Sequence, residues 1–241
     1  MDTNTIKKIV KKIPIIPFLY RKFRDHKLSK KNAEEVFSDI YKNNKWGGVD
    51  SVSGGGSDLQ QTKHISQELP IIFNRLNIST MLDIPCGDFH WMSKVNLSGV
   101  SYTGSDIVGE LIKENSRQYK REGVSFQKLD LIKDELPKVD LVFCRDCLVH
   151  LSYNDALLAL ENICKSHSKY LLTTTFTNRN SNEDIATGNW RTLNLELSPF
   201  AFPEPLQLVN EGCTEGDGLY TDKALALWRI SDIQEALYKQ A

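Results

Sequence analysis

The sequence predicts a doubly wound α/β fold, in which helices cover both faces of a mostly parallel sheet. From about residue 78, short apolar runs alternate with longer helical patterns, and this alternation is typical of parallel sheets that are buried on both sides. The chain has 241 residues, of which 40% are hydrophobic and 25% charged, which is enough for one sizeable core. We therefore expect one principal domain over residues 60–241.

The apolar runs predict six strands, and the stretches between them predict helices. The strands are expected at Thr80–Ile84, Ser101–Ser105, Val124–Lys128, Val139–Cys144, Tyr170–Thr175 and Ala224–Ile230. The helices are expected at Phe89–Val95, Gly109–Glu122 and Asn154–Ser166, with another before the first strand at about Gln60–Leu76. Ser152 or Asn154 is suited to cap the helix that follows it.

The N-terminal segment, residues 1–59, is predicted to be a basic amphipathic arm followed by a Gly/Ser-rich lid. Residues 1–31 hold ten Lys and Arg against Asp2 and Asp25, an excess of eight positive charges, whereas the whole chain has a net charge of −1. Such an arm favours an acidic partner, either phospholipid headgroups or a protein, although a solvated or self-packed helix over Ile6–Ile13 also fits. No apolar run spans a membrane and no secretory cleavage site follows, so we expect a cytoplasmic protein that contacts at most the inner face of the membrane.

The five cysteines, an odd number without an export signal, indicate free thiols in a reducing compartment. Cys144 and Cys147 form a C-x-x-C pair, but no second pair lies at zinc-finger spacing. The pair also ends a predicted strand, where a thioredoxin motif would open a helix. We therefore expect no metal and no redox site.

The carboxyl ends of the predicted strands, where ligands bind in such sheets, are acidic. Asp83 and Asp88 lie at the first end, Asp106 at the second and Asp130 at the third. These carboxylates would repel a pyrophosphate, which would also need more than the single Gly87 for the close approach of backbone amides. S-adenosylmethionine fits better, because its sulfonium and ammonium groups are cationic, its ribose offers a diol, and it carries no phosphate.

Four segments in order, MLDIPCGDF, YTGSDI, FQKLDLI and VDLVFCRDCLVHL, resemble motifs I to IV of the class I S-adenosylmethionine-dependent methyltransferases, over about residues 60–230. The resemblance implies a Rossmann-like sheet of seven strands and S-adenosylmethionine as the cofactor. Pro85, Cys86 and Asp88 depart from the more frequent glycine-rich first motif, whereas Gly87 falls at its middle glycine. The positions that we assign to the cofactor are Asp83, Pro85, Cys86, Gly87, Asp106, Ile107, Asp130, Leu131, Arg145 and Trp46.

Several of these positions also have a simpler structural explanation. The alternative for Asp83 is that it binds loop amides or caps the helix, and the alternative for Asp106 is that it is a plain turn residue. Asp130 is the least specific, because acids are common after strands. Cys86 is explained as a small buried side chain, and Gly87 is explained by a positive φ whatever binds there.

The end of the fourth predicted strand carries the candidate catalytic residues His150 and Asp146. Methyl transfer is an in-line displacement, in which an enzyme positions the acceptor and removes its proton if the acceptor is a hydroxyl. His150 suits that base, although a structural histidine is an equal alternative. The Asp/Asn-Pro-Pro-aromatic tetrad of nucleic-acid amino methyltransferases is missing here, and an acidic core disfavours a polyanion, so we expect no nucleic-acid partner.

Two further segments are expected to serve the substrate. The stretch WGGVDSVSGGGSDLQQT, Trp46–Thr62, either folds over a ligand as a lid or is a plain linker, and it resembles a pattern in methyltransferases of bacterial surface polysaccharides. The insertion at about residues 177–218 is either a substrate-binding element or a surface loop. Its candidate substrate residues, whose guanidinium, indole and amide groups suit a sugar, are Arg179, Trp190, Arg191 and Asn194.

The patterns together indicate an S-adenosylmethionine-dependent methyltransferase in surface polysaccharide biosynthesis. Its expected acceptor is a hydroxyl of a sugar or glycan precursor, or a phosphoramidate group. Another small-molecule acceptor, a protein or RNA substrate, and a non-catalytic nucleotide-binding module stay open as alternatives.

Overall fold

The protein is described by a computed structural model, which covers residues 25, 28, 30–48 and 50–239 of the chain. Most of the basic arm at residues 1–31, including the amphipathic helix predicted over Ile6–Ile13, lies outside the described residues. The arm and its acidic partner therefore stay a prediction.

Seven strands within the described residues form one mixed sheet. They are β1 (Thr80–Asp83), β2 (Ser101–Asp106), β3 (Val124–Lys128), β4 (Leu141–Cys144), β5 (Tyr170–Phe176), β6 (Gln207–Asn210) and β7 (Lys223–Arg229). The order across the sheet is β3-β2-β1-β4-β5-β7-β6, with β1 to β5 parallel and β7 antiparallel to both of its neighbours. The predicted mostly parallel sheet is confirmed.

The described residues also form five α-helices, which flank the sheet. They are α1 (Ala33–Lys42), α2 (Leu59–Leu76), α3 (Gly109–Tyr119), α4 (Tyr153–Lys165) and α5 (Ile230–Tyr238). The Ser152 hydroxyl accepts a hydrogen bond from the Asp155 amide and so caps α4 as predicted. None of the described helices combines the length and the apolar character that crossing a bilayer requires.

The prediction of a helix over Phe89–Val95 is wrong. Only a 3-10 turn forms there, at Met92–Lys94. Phe89 has a φ of 57°, in the left-handed region, which a right-handed helix cannot include. This backbone turn carries the Phe89 ring under the sheet edge, where it lies 5.1 Å from both Tyr102 and Phe126. The apolar spacing that suggested a helix therefore reflects burial in an irregular loop.

Strand β6 was not predicted, and it lies within the proposed insertion at residues 177–218. It is a four-residue edge strand in which only Val209 is buried, so its sequence shows no apolar run. Pairing with β7, which is nearly all buried, holds β6 in the sheet. Its existence depends on a neighbour rather than on its own residues.

The sheet brings the strand ends of interest to one edge. The apolar side chains of the strands fill two cores, one on each face of the sheet, which leaves the carboxyl ends for polar groups. Asp83 ends β1, Asp106 ends β2, and Arg145 follows β4. Because β7 runs antiparallel, its first residue, Lys223, lies at this same edge.

Candidate functional site

The loop after β1 is held by contacts that require its unusual sequence. The Cys86 amide donates to the carbonyl of Ser105 at 2.8 Å, and Asn115 on α3 donates from Nδ2 to the Gly87 carbonyl at 2.7 Å. Gly87 has a φ of 54°, and a Cβ there would lie 2.2 Å from Ser53 Oγ. Glycine is thus needed both for its backbone conformation and for the approach of the segment that contains Ser53.

Two buried carboxyl groups stand side by side at the ends of β1 and β2. Asp83 Oδ2 accepts a hydrogen bond from the Tyr102 hydroxyl at 2.5 Å, and burial raises the pKa of Asp83 to about 8. Asp106 Oδ1 accepts from the Val108 amide at 2.9 Å, and burial raises the pKa of Asp106 to about 6. A cation placed between these carboxyl groups would favour their ionised forms.

Asp130, at the end of the third strand region, is engaged in its own turn. Its Oδ1 accepts from the Ile132 amide at 2.9 Å, and Lys133 lies 3.4 Å from its Oδ2. These contacts fit the simpler explanation of Asp130 as a turn residue. Asp130 nevertheless lines the same cavity as Asp83 and Asp106.

This first cavity collects every position that the sequence assigned to a cofactor. It is narrow, about 140 Å³. A segment near the N-terminus forms its outer wall: the Val52 amide donates to Asp88 Oδ2 at 3.0 Å, and the Asp88 amide donates to Ser53 Oγ at 3.3 Å. The predicted cofactor positions on its lining are Trp46, Asp83, Pro85, Cys86, Gly87, Asp106, Ile107, Asp130, Leu131 and Arg145.

Arg145 joins this outer wall to the sheet. Its guanidinium is 6% exposed and pairs with Glu211, with Nε 3.1 Å from Oε1 and a second nitrogen 2.6 Å from Oε2. The same second nitrogen donates to the carbonyl of Gly56 at 2.8 Å. A buried guanidinium that is bonded to a carboxylate and to a loop carbonyl thus links the segment before α2 to the sheet.

Asp146 is the centre of a buried cluster of opposite charges. Its backbone has a φ of 52°, a conformation that non-glycine residues seldom adopt. Lys223 Nζ lies 2.7 Å from Asp146 Oδ2 and 3.4 Å from Glu211, and Arg145 lies 3.3 Å from Asp146. These two cations hold the pKa of Asp146 well below its usual range despite burial. Asp146 is therefore a carboxylate at neutral pH.

Glu211 and Lys223 were not predicted to belong to the site. Glu211 follows the unpredicted strand β6, and Lys223 is the first residue of the antiparallel strand β7. No local spacing links them to Arg145, which is 66 residues before Glu211. Only the pairing of β7 with both β5 and β6 places them beside the candidate site.

His150 is oriented by a backbone carbonyl and by a tryptophan ring. Its Nδ1 lies 2.8 Å from the Asn189 carbonyl, which can only accept, so Nδ1 carries the proton and Nε2 is left as an acceptor. The ring centroids of His150 and Trp46 are 5.0 Å apart. The pKa of His150 is lowered, chiefly by burial and also by Lys223 and Arg191, against an opposing contribution from Asp146. His150 is therefore neutral at pH 7, the form that accepts a proton.

A second, larger cavity of about 810 Å³ opens next to the first. Trp46, Ser53, Asp146 and His150 line both cavities, so they mark where the two meet. Cavities of this size are typical of small-molecule sites. Two ligands bound side by side would meet at His150.

Of the four candidate substrate residues, only Trp190 lines this second cavity. Arg179 donates to the Leu219 carbonyl and pairs with Asp222, and Asn194 donates to the Arg179 carbonyl. Arg191 donates to the Leu148 carbonyl at 3.1 Å and packs over the ring of Tyr153. Arg179, Arg191 and Asn194 thus shape the walls from behind and line neither cavity.

None of the five cysteines forms a disulfide. All five are free, and four of them are buried. Over the part of the chain that the structure describes, no group of three or more His, Cys, Asp and Glu side chains is arranged to hold a metal ion.

Comparisons of the sequence with protein families and with curated proteins found no match. No protein-family profile matches the chain, and no curated protein matches it either. The overall fold, in contrast, is shared with solved structures at low identity.

Three solved structures illustrate this likeness of fold. Human N-acetylserotonin methyltransferase, in complex with SAM, is 19% identical over 83% of this chain, with a TM-score of 0.52; the match spans 60% of that protein. The methyltransferase domain of bacterial CtHen1-C is 12% identical over 71% of this chain and 98% of that domain, with a TM-score of 0.53. The riboflavin-derivative dimethyltransferase RosA from Streptomyces davawensis is 15% identical over 70% of this chain and 54% of that protein, with a TM-score of 0.50.

At these identities the likeness concerns the fold alone. The TM-scores of 0.50 to 0.53 over 70% or more of this chain concern its seven-stranded, mostly parallel sheet and the helices that flank it. The chain has the Rossmann-like methyltransferase fold.

Proposed function

We propose that this chain transfers the methyl group of S-adenosylmethionine to a hydroxyl of a sugar or glycan precursor, or to a phosphoramidate group. One observation carries the proposal: Asp83 and Asp106 are buried carboxyl groups at adjacent strand ends, and they line one cavity with Gly87. Burying carboxyl groups is costly unless a cation or hydrogen-bond donors come to them. A ligand that carries both a cation and hydrogen-bond donors offsets that cost.

The chemistry of this cavity fits S-adenosylmethionine and disfavours a dinucleotide. Asp83 would attract the cationic methionine end, and Asp106 would accept hydrogen bonds from the ribose hydroxyls. Apolar Ile107 and Leu131 supply flat contacts for adenine, and Asp130 would accept from its amine. A pyrophosphate would instead meet carboxylates with no spare cation among the described lining, since Arg145 is already bonded to Glu211.

The role of the protein in such a reaction is to position the acceptor and to take up a proton. When bound, S-adenosylmethionine supplies a methyl group on a sulfonium, whose charge is lost during in-line displacement. His150 is neutral, with Nε2 as its free acceptor atom, and it lies where the two cavities meet. Nε2 therefore accepts the proton of an acceptor hydroxyl held in the second cavity.

Asp146 has a supporting role at the same place. As a carboxylate that lines both cavities, it stabilises the imidazolium that forms when His150 takes up a proton. Its left-handed backbone is maintained by the bond from its own amide to Thr174 Oγ1, at 2.8 Å. The contact that orients Asp146 is thus built into β5.

We further propose that the segment around Val52 and Ser53 is a lid and that residues 177–218 form the acceptor side of the site. The hydrogen bonds of Val52 and Ser53 to Asp88, together with Arg145 on Gly56, close the narrow first cavity from outside. A cofactor-sized ligand enters only when this wall moves. The basic arm, residues 1–31, would then hold the enzyme at an acidic surface such as the inner face of a membrane.

Calorimetry with S-adenosylmethionine and S-adenosylhomocysteine tests the cofactor site directly. We expect both to bind, Asp106→Ala to abolish binding, and Asp106→Asn to weaken it by about 10- to 100-fold through lost charge-assisted bonds. Asp232→Asn, an exposed carboxylate on α5, is the matched control. Absence of binding by the wild type, or equal affinity of Asp106→Ala, would overturn the proposal.

A screen with isotope-labelled S-adenosylmethionine then tests the transfer. Nucleotide sugars, oligosaccharides, phosphoramidate-bearing glycans, small phenols, peptides and RNA each serve as the acceptor pool. Label in a carbohydrate is the expected result. Label that enters only peptide or RNA would refute the choice of acceptor, whereas cofactor binding without label in any pool would favour a non-catalytic module.

A further inference from the structure

The second cavity has a charge pattern that bears on its ligand. Its cationic side chains among the described residues are Lys31, Lys45 and Lys223. Lys31 and Lys45 both pair with Asp39, at 3.5 and 2.5 Å, and Lys223 pairs with Asp146 at 2.7 Å. The lining also carries three carboxylates, those of Asp39, Asp146 and Glu215, so its three described ammonium groups are matched in number and leave no net positive charge.

A glycine turn on this lining resembles an anion site, but a carboxylate covers it. Gly55 and Gly56 lie just before α2, where backbone amides at a helix start would attract a phosphate. The carboxylate of Glu215 lies against these two glycines, within 3.3 Å of where their Cβ atoms would stand. A phosphate brought there would meet a negative charge, and like charges repel.

An aromatic shelf forms the opposite part of the lining. Phe176, Trp190 and Tyr220 contact one another edge to face, with centroids 5.0 to 6.1 Å apart. Trp190 is 43% exposed, although these contacts fix its orientation. A rigid, partly exposed indole offers a large flat surface, on which the C–H face of a sugar ring packs at low entropic cost.

From this pattern we infer that the second cavity binds a neutral glycan, with one sugar ring stacked on Trp190 and the reacting hydroxyl at His150. Tyr220 contacts the Trp190 ring at 70° and so holds that stacking surface in place. The inference rests on the proposed methyl transfer and specifies its acceptor as uncharged. Aromatic contacts and hydroxyl-directed hydrogen bonds then provide the affinity, and no bound phosphate contributes to it.

The size of the cavity agrees with an acceptor larger than one sugar. Its volume of about 810 Å³ lies in the upper part of the range for drug-sized ligands. A single sugar ring would leave much of that space filled with water. A glycan of two or more residues would reach from His150 to the exposed edge of Trp190.

The uncharged acceptor places the reaction after a glycosyl transfer. An activated sugar carries a nucleoside diphosphate, and a glycosyltransferase releases it when the glycosidic bond forms. Methylation of a neutral glycan therefore consumes the product of such a transfer, and the methyl group is added to an assembled chain and not to the activated building block.

The experiment compares matched pairs of acceptors on the full chain. Each pair presents the same sugar either as its nucleoside diphosphate derivative or as the terminal residue of a neutral trisaccharide, with labelled S-adenosylmethionine as the donor. We expect label in a neutral trisaccharide and at least tenfold lower kcat/KM for its nucleotide partner. Preference for the nucleotide sugar, or label in no neutral glycan while S-adenosylmethionine binds normally, would overturn the inference and leave the cofactor site standing.

Variants of the shelf distinguish stacking from general damage to the fold. Trp190→Ala and Tyr220→Ala should raise the KM for the trisaccharide about tenfold or more, with the Kd of S-adenosylhomocysteine unchanged within twofold. Tyr238→Ala, at a ring that is 73% exposed on α5, is the aromatic control. Unchanged KM in both shelf variants would refute the stacking. If the wild type does not bind S-adenosylhomocysteine, the proposed function itself is refuted.

Discussion

The indole of Trp46 lies 5.0 Å from the imidazole of His150, ring centroid to ring centroid, at an angle of 33°. Trp46 comes from the segment before α2, and His150 comes from the turn after β4. Together with the Asn189 carbonyl on Nδ1, this contact leaves one ring nitrogen of His150 for chemistry. The segment that we propose as a lid is therefore also in contact with the candidate base.

The first prediction concerns His150 itself. His150→Gln keeps a polar side chain but removes the basic nitrogen, so we expect kcat on the labelled acceptor to fall by about 10²- to 10⁴-fold. Affinity for S-adenosylhomocysteine should stay within a few-fold, measured by calorimetry. The matched control is His167→Gln, because His167 lies outside both cavities. Near-normal turnover of His150→Gln would show that His150 has a structural role only.

The second prediction is a proton released on cofactor binding. Asp83 has a pKa of about 8, so it is mostly protonated at pH 7, and a cationic ligand beside it favours the carboxylate. Binding should therefore release a proton, and affinity should rise from pH 6 to 8 and then level off.

Calorimetry at pH 7 in two buffers of different ionisation enthalpy measures this proton. The apparent binding enthalpy should differ between the buffers for the wild type and much less for Asp83→Asn. The same enthalpy in both buffers for the wild type would argue against a cation at Asp83.

The third prediction uses two substitutions with opposite effects on the pKa of His150. Lys223 lowers that pKa and Asp146 raises it. Lys223→Gln should therefore raise the pKa of His150, and Asp146→Asn should lower it, both followed by the imidazole resonance in an NMR titration. The control is Lys169→Gln, because the Lys169 ammonium is largely exposed. Asn189→Asp is not suitable, because the Asn189 carbonyl contacts His150. Shifts in the same direction would show that the two variants act through a general loosening of the site.

The fourth prediction concerns the close approach of Ser53, in the proposed lid, to Gly87. Gly87→Ala would place a Cβ 2.2 Å from Ser53 Oγ and strain a φ of 54°. We expect weaker binding of S-adenosylhomocysteine and faster hydrogen exchange around Val52. Ser53→Gly removes the clash and should restore part of the affinity in the double variant, leaving the backbone strain of about 1 kcal/mol. Gly99→Ala, at a positive φ with no neighbour within 4 Å, separates the strain from the clash.

Local pattern was enough for much of the fold. β1 to β5 and β7 are all predicted within one residue at their ends, except that β4 begins two residues later than predicted. Such strands are predictable because buried strands are short apolar runs between turn residues. The first cavity also follows from pattern, since the ends of neighbouring parallel strands meet at one edge and every predicted cofactor position lines it.

The features that pattern missed depend on contacts between distant parts of the chain. β6 is held by β7, and Phe89 leaves the helical region so that its ring packs with Tyr102. The ion pairs of Lys223 with Asp146 and Glu211 cannot be predicted from the order of these residues in the chain. They form because the antiparallel strand β7 begins at the same edge of the sheet. Ion pairing, side-chain packing and strand direction are properties of the folded chain, and they decide which polar residues reach the cavities and which, like Arg191, support them from behind.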